Sequence, residues 1–248
     1  MGARHPSPNL KGQLEGNLMI KIDATPTMPA ATESVLGRAF RGVLFDMDGT
    51  LIDSTPAVNR SWLRWATERG LNEAFRAGNH GMPARQIVES LVSAGDVDVA
   101  LARVLALETD DTHDITVLPG AAELLLGIPD ARRAIVTSCA RTLAAARIAA
   151  SGLAAPSVVV TIDDTGRGKP NPEPFLEGAA RLGLDPRECV VFEDAPAGLT
   201  AARAAGCATI AVVGTHTAAE LEADLVVPSL DRLQVTVTAD GVIFGLRP

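Results

Sequence analysis

From Phe40 onward, short runs of aliphatic and β-branched residues alternate with longer Ala-rich stretches of helical period. The runs predict strands at Gly42–Phe45, Ala134–Thr137, Val158–Thr161, Cys189–Phe192, Thr209–Val213 and Leu225–Val227. Helices are predicted between several of them, at Thr142–Ala150, Glu173–Leu182 and Ala197–Ala205. Gly152, Gly183 and Gly206 follow these helices, where a left-handed C-terminal cap is expected. Strand and helix in alternation indicate βαβ units, hence an α/β protein built on a parallel sheet.

Three stretches depart from this alternation. Residues 1–38 carry Pro6, Pro8, Pro26 and Pro29 with no sustained period, and read as a flexible extension. Residues 55–117 hold helical segments and no convincing strand. A helix over Pro56–Arg69 places Val58, Trp62 and Trp65 on one face, either as the core of a small helical module or as a ligand platform. This interval reads as an inserted helical cap, which leaves 39–54 and 118–233 as the core. Residues 234–248 read as an edge ribbon: Val235–Thr238, a turn at Asp240–Gly241, then Val242–Phe244.

Composition narrows the function classes. Of 248 residues 47% are hydrophobic but only 3% aromatic, so the interior is aliphatic. A net charge of −8 and a pI near 5.0 argue against nucleic acid and anionic lipid as partners. No apolar run approaches a membrane span. Cys139, Cys189 and Cys207 lack metal-ligand spacing, which fits a reducing cytoplasm.

The chemistry gathers at strand ends. Val43–Phe45 runs into Asp46-Met47-Asp48-Gly49-Thr50, two carboxylates at i and i+2 where a parallel sheet binds ligands. Taken alone, this segment also suits an Asp-rich turn. The next strand ends in Thr137-Ser138, whose hydroxyls and N–H groups can hold a phosphate or simply cap a helix. Lys169 sits in the Pro-rigid loop Gly168–Pro172, and Glu193-Asp194 ends the strand before Ala195–Gly198. Together these supply a nucleophile, a hydroxyl, a cation and metal ligands in one chain order.

Those segments resemble the four motifs of the haloacid dehalogenase superfamily over about Phe40 to Leu233. The strings GKPNPEPF (Gly168–Phe175) and VFEDAPAG (Val191–Gly198) are most similar to its sugar-phosphate, 2-deoxyglucose-6-phosphate and glycerol-3-phosphate phosphatases. The resemblance implies a Rossmann-like, doubly wound core with a helical cap, acting on a small phosphorylated metabolite as a monomer or weak dimer. It implies Asp46 as nucleophile and Asp48 as acid/base. Mg²⁺ would be held by the Asp46 and Asp194 carboxylates and the Asp48 carbonyl, with Glu193 beside it or orienting Lys169. Ser138, Cys139 and Lys169 would bind phosphate, with Thr137 the alternative hydroxyl. One departure is Cys139, where the family often has glycine; its thiol is expected to have a lowered pKa beside Lys169. His80 and Arg85 are the cap residues expected to meet the leaving group. The acidic run Glu108–Asp114 is expected to end a cap helix in solvent, and His5, His113 and His216 show no evident partners. A β-phosphoglucomutase-like phosphotransferase shares these motifs and is the first alternative. A catalytically silent binding protein on the same fold is the second.

Overall fold

A computed structural model describes residues 35–71 and 84–247. His80 and nearly all of the N-terminal extension lie outside the described residues. Residues 35–38, expected to belong to the extension, contact the core: Val35 is buried, and the Gly37 N–H donates to the Phe244 carbonyl at 3.0 Å.

In chain order the strands are β1 (Ala39–Phe40), β2 (Gly42–Phe45), β3 (Ile52–Asp53), β4 (Thr116–Val117), β5 (Arg133–Val136) and β6 (Val159–Val160). They continue with β7 (Cys189–Glu193), β8 (Ala208–Val212), β9 (Leu225–Val227), β10 (Leu233–Val237) and β11 (Val242–Leu246). The helices are α1 (Thr55–Glu68), α2 (Ala84–Glu89), α3 (Val97–Asp110), α4 (Ala121–Leu126), α5 (Arg141–Ser151), α6 (Glu173–Arg181) and α7 (Pro196–Ala205).

Six strands pair in parallel in the order β6-β5-β2-β7-β8-β9. Strand β2 starts the sheet at its centre; the chain builds outward through β5 and β6, then returns to lay β7, β8 and β9 on the other side. The order therefore reverses beside β2, and the crevice at the carboxyl ends of β2 and β7 is where such a sheet binds ligands. All six predicted sheet strands form, within a residue or two.

Both faces of the sheet are covered, which is why its strands are continuous apolar runs. Val43, Phe45, Ile135 and Phe192 face one layer with Leu124, Leu143 and Ala144, whereas Leu44, Val136 and Val191 face Phe175, Ala179 and Ala202 in the other. Gly152, Gly183 and Gly206 take positive φ (70°, 70° and 87°) after their helices, as their positions predict.

Two expectations are corrected. The C-terminal ribbon is no edge of the main sheet: β10 and β11 join β1 in a separate antiparallel sheet of order β1-β11-β10. Burial decides this, because Phe244 packs edge-on against Phe192 at 5.1 Å between centroids and Phe192 stacks on Phe45 at 5.0 Å. The interval 55–117 also contains a strand, since Thr116–Val117 pairs antiparallel with Ile52–Asp53. Two residues are too few to show a period.

Helices α1, α2 and α3 share an apolar core of their own, centred on Trp65, Val88, Ala100, Val104 and Leu107. Trp65 is structural: it is fully buried and its indole N–H donates to the Ala100 carbonyl at 2.9 Å.

Phe244 ties the ribbon to the sheet through two aromatic neighbours. Phe244→Ala is expected to cost about 3–5 kcal/mol of unfolding free energy, read from the midpoint and slope of urea denaturation.

Candidate active site

The Asp46 N–H extends the β2–β7 ladder by donating to the Phe192 carbonyl at 2.9 Å, which brings Asp46 level with Glu193. Both strands end there, so their next side chains emerge at the crevice. Lys169, reaching in from the loop before α6, donates from Nζ to Asp46 Oδ1 at 2.5 Å, Glu193 Oε1 at 2.7 Å and the Val136 carbonyl at 3.1 Å. Its ammonium also lies 5.0 Å from the Phe175 ring centroid, a cation–π contact. Lys169, Glu193 and Asp194 are each 2% exposed or less.

Glu193 is fully engaged: Oε2 accepts the N–H groups of Asp194 at 2.9 Å and Ala195 at 2.8 Å. It is therefore turned towards Lys169 and its own turn. Asp194 accepts hydrogen bonds from the Thr50 and Thr215 hydroxyls. Two glycines make this packing possible. A Cβ on Gly49, at φ +83°, would stand 2.1 Å from Asp194 Oδ2, and one on Gly198 would stand 1.6 Å from Glu193 Oε1.

Asp48, two residues on, is half-buried and sits apart from Lys169. Its Oδ1 accepts from Ser54 Oγ at 2.6 Å and Arg147 Nη1 at 2.8 Å, and its Oδ2 accepts from Cys139 Sγ at 3.1 Å. Arg147 also donates to Glu108 Oε1, on α3, at 3.1 Å. Asp46, Asp48, Ser138, Lys169, Asp194 and Arg85 line one cavity of about 1000 Å³ between the sheet end and α1–α3.

Charge explains much of the site's electrostatics. Burial pushes Asp46 well above the usual carboxylate range; Lys169 offsets this in part, whereas Glu193 and Asp194 add to it. Asp194 is raised to about 7 by burial and by the Glu193 charge beside it. Burial works against the Lys169 ammonium, but Asp46 and Glu193 outweigh it and hold the lysine above its ordinary range. Three carboxyl groups face one ammonium, so a second cation would be needed for all three to ionise together. Their donor atoms lie within 4.8 Å of one another and are all oxygen, a set that suits a hard divalent cation.

The structure revises several expectations. Cys139 is no activated thiol: burial, then the Asp48 charge, push it well above the ordinary thiol range. Its neighbours are Asp48 and Arg147. The Cys139 N–H donates to Thr137 Oγ1 at 3.1 Å, so this donor and this hydroxyl are turned to their own loop. Ser138 lines the cavity beside them. Arg85 lies at the cavity's rim and pairs with Asp98 at 2.9 Å. Glu108 does not face solvent: it is 5% exposed, and Arg147 holds it. Farther along, Asp111 and Asp114 clasp Arg60 at 2.7 and 2.6 Å. His113 meets Asp111 at 3.0 Å and His216 meets Thr215 at 3.0 Å, so both have partners.

Sequence reasoning missed Thr50, Thr215, Glu108 and Arg147. The last two left a signal. Arg147 shares a stripe with the buried Leu143 and Ala144, and Glu108 shares one with Val97, Ala100 and Val104. A charge where helical period calls for an apolar residue marks a buried partner.

Comparison with known proteins settles the family. The profile described as haloacid dehalogenase-like hydrolase matches residues 40–206. The chain belongs to the haloacid dehalogenase-like hydrolases. Hexitol phosphatase A of Escherichia coli is 44% identical over 211 residues, covering 81% of this chain and 96% of the relative. The 2-deoxyglucose-6-phosphate phosphatase 1 of Saccharomyces cerevisiae is 31% identical over 220 residues, covering 77% and 89%. Among solved structures, a family IA, variant 3 hydrolase from Entamoeba histolytica aligns with a TM-score of 0.70 at 26% identity, covering 78% of this chain and 95% of that one. The chain is an enzyme of this hydrolase family, with its α/β core.

The raised Asp194 has a consequence for stability. Between about pH 4 and 7 the folded protein keeps a proton that the unfolded chain releases, so metal-free stability falls as pH rises across that window. In excess chelator, Asp194→Asn is expected to unfold at higher urea than the parent at pH 8, by on the order of 2–4 kcal/mol. The gap is expected to close by pH 4.

Proposed function

We propose that this hydrolase releases phosphate from a small phosphorylated sugar or polyol through a covalent aspartyl-phosphate on Asp46. One observation carries the reading: Asp46 stands at the sheet end with the Lys169 ammonium at 2.5 Å, between a surplus of buried carboxylate and a second aspartate two residues on. The named relatives are phosphatases of hexitol and deoxysugar phosphates, which supports hydrolysis and this substrate class.

In the proposed reaction an Asp46 oxygen attacks phosphorus in line as the bond to the leaving oxygen breaks. Asp48 gives that oxygen its proton, then takes one from the water that hydrolyses the aspartyl-phosphate. Lys169 neutralises transferring phosphoryl oxygens and is aimed by Glu193. Ser138 contributes a hydroxyl to the same oxygens. The residues that would hold Mg²⁺ are Asp46 and Asp194, with the Asp48 carbonyl, and Thr50 and Thr215 would fix the Asp194 carboxylate. When bound, Mg²⁺ would supply neutralisation of phosphate charge against the buried carboxylates.

Helices α1–α3 act as the cap in this scheme, over a cavity of about 1000 Å³ that has room for a hexose-sized ester. Trp62, on α1, lines that cavity while packing edge-on against Trp65. Among the described residues no helix is long and apolar enough to cross a membrane.

Asp46→Asn keeps the size and hydrogen-bonding capacity of the side chain but lacks the nucleophile. Its phosphate release from hexitol, 2-deoxyglucose and glycerol phosphates is expected to fall at least about a thousandfold, with circular dichroism unchanged. Chelation is expected to abolish turnover and Mg²⁺ to restore it. Full activity in chelator would remove the metal from the scheme, and an active Asp46→Asn would remove the covalent step.

A further inference from the structure

Arg147 has no part in the scheme so far, yet it is a buried arginine held between two carboxylates. It projects from α5 and is 4% exposed, between a carboxylate of the sheet end and one of the cap. Its Nη1 donates to Asp48 Oδ1 at 2.8 Å, and its Nη2 donates to Glu108 Oε1 at 3.1 Å. Glu108 is further held by a hydrogen bond with the Trp62 side chain on α1. Arg147 Nε is buried with no hydrogen-bond partner among the described residues. A buried guanidinium and a buried glutamate thus meet a half-buried aspartate at one point, which packing alone does not require.

We propose that Arg147 is a positioning residue for proton transfer: its guanidinium fixes the Asp48 carboxyl, and Glu108 of the cap fixes the guanidinium. Arginine suits this because its planar fork spans two carboxylates at set angles, which a flexible ammonium cannot do. Arg147 and Ser54 both hold Oδ1, which leaves Asp48 Oδ2 the less engaged oxygen. Cys139 Sγ touches that oxygen only through a weak donor. In the first half-reaction the Asp46 oxygen bonds to phosphorus, the bond from phosphorus to the leaving oxygen breaks, and the Asp48 proton passes to that oxygen. Asp48 is left as a carboxylate facing Arg147, ready to take a proton from water in the second half. Glu108 belongs to α3, so seating of the cap and alignment of the acid are one interaction.

This deepens the hydrolase reading and rests on it. A structural role for Arg147 and a positioning role differ in their dependence on the leaving group. An alkoxide leaves poorly without a proton, whereas 4-nitrophenolate leaves readily without one. The test measures kcat/KM of wild type, Arg147→Lys and Glu108→Gln with a hexitol phosphate and with 4-nitrophenyl phosphate. Arg147→Lys is expected to lose about a hundredfold on the hexitol ester, within the range of one general acid. Its loss on the aryl ester should be at least tenfold smaller. Glu108→Gln should show the same direction with about a tenfold loss on the hexitol ester. Equal losses on the two esters, or no loss on either, would overturn the proposal. If Arg147→Lys does not fold, Glu108→Gln decides, since it keeps shape and removes one buried charge. A wild-type enzyme that releases phosphate from neither ester, or an Asp46→Asn variant that still turns over, would instead strike at the hydrolase reading.

Discussion

The buried ammonium of Lys169 is the contact on which the site depends. It meets Asp46 from β2, the Val136 carbonyl from β5 and Glu193 from β7, so three neighbouring strands and the loop before α6 converge on one nitrogen. Removing a lysine from water is costly unless carboxylates surround it, and carboxylates this deep are costly unless a cation faces them. Each group is tolerable only because the others are present. One ammonium does not match three carboxyl groups, and their oxygens form a set that could hold a divalent cation.

That requirement reaches back into the scaffold. The Asp46–Lys169 pair needs a rigid sheet end to hold the carboxylate in place, and here both faces of the sheet are packed by apolar layers. Close approach has to be allowed as well as enforced, hence glycine at positions 49 and 198, where any side chain would run into Asp194 or Glu193. The aromatic stack of Phe45, Phe192 and Phe244 supports the strands from beneath and ties the C-terminal ribbon to them.

A second charged knot, Asp48–Arg147–Glu108, links the sheet end to α3 through α5. Burial works against the Arg147 charge, but Asp48 and Glu108 hold it charged. Burial likewise raises Glu108, with Arg147 opposing. The two knots are separate in space: one joins β2, β5, β7 and the loop before α6, and the other joins Asp48 to α5 and α3.

By itself the sequence determined the elements and the identity of the core chemical groups. Local period and turn residues set the six sheet strands, the helices behind them and their glycine caps. Asp46, Asp48 and Glu193-Asp194 were legible because they follow or end strand runs, and Lys169 because prolines mark its loop; both signals are local properties of the chain. Tertiary structure alone decided how those groups pair. The Lys169 contacts span 123 residues to Asp46 and 24 to Glu193, and Arg147 reaches 99 residues to Asp48. Nothing local specifies such distances. The ribbon's partner β1, the turning of the Cys139 N–H onto Thr137, and the burial of Glu108 belong to the same class. Each depends on which surfaces meet once the sheet is closed over, and a pattern read along the chain carries no term for a neighbour that arrives from elsewhere in it.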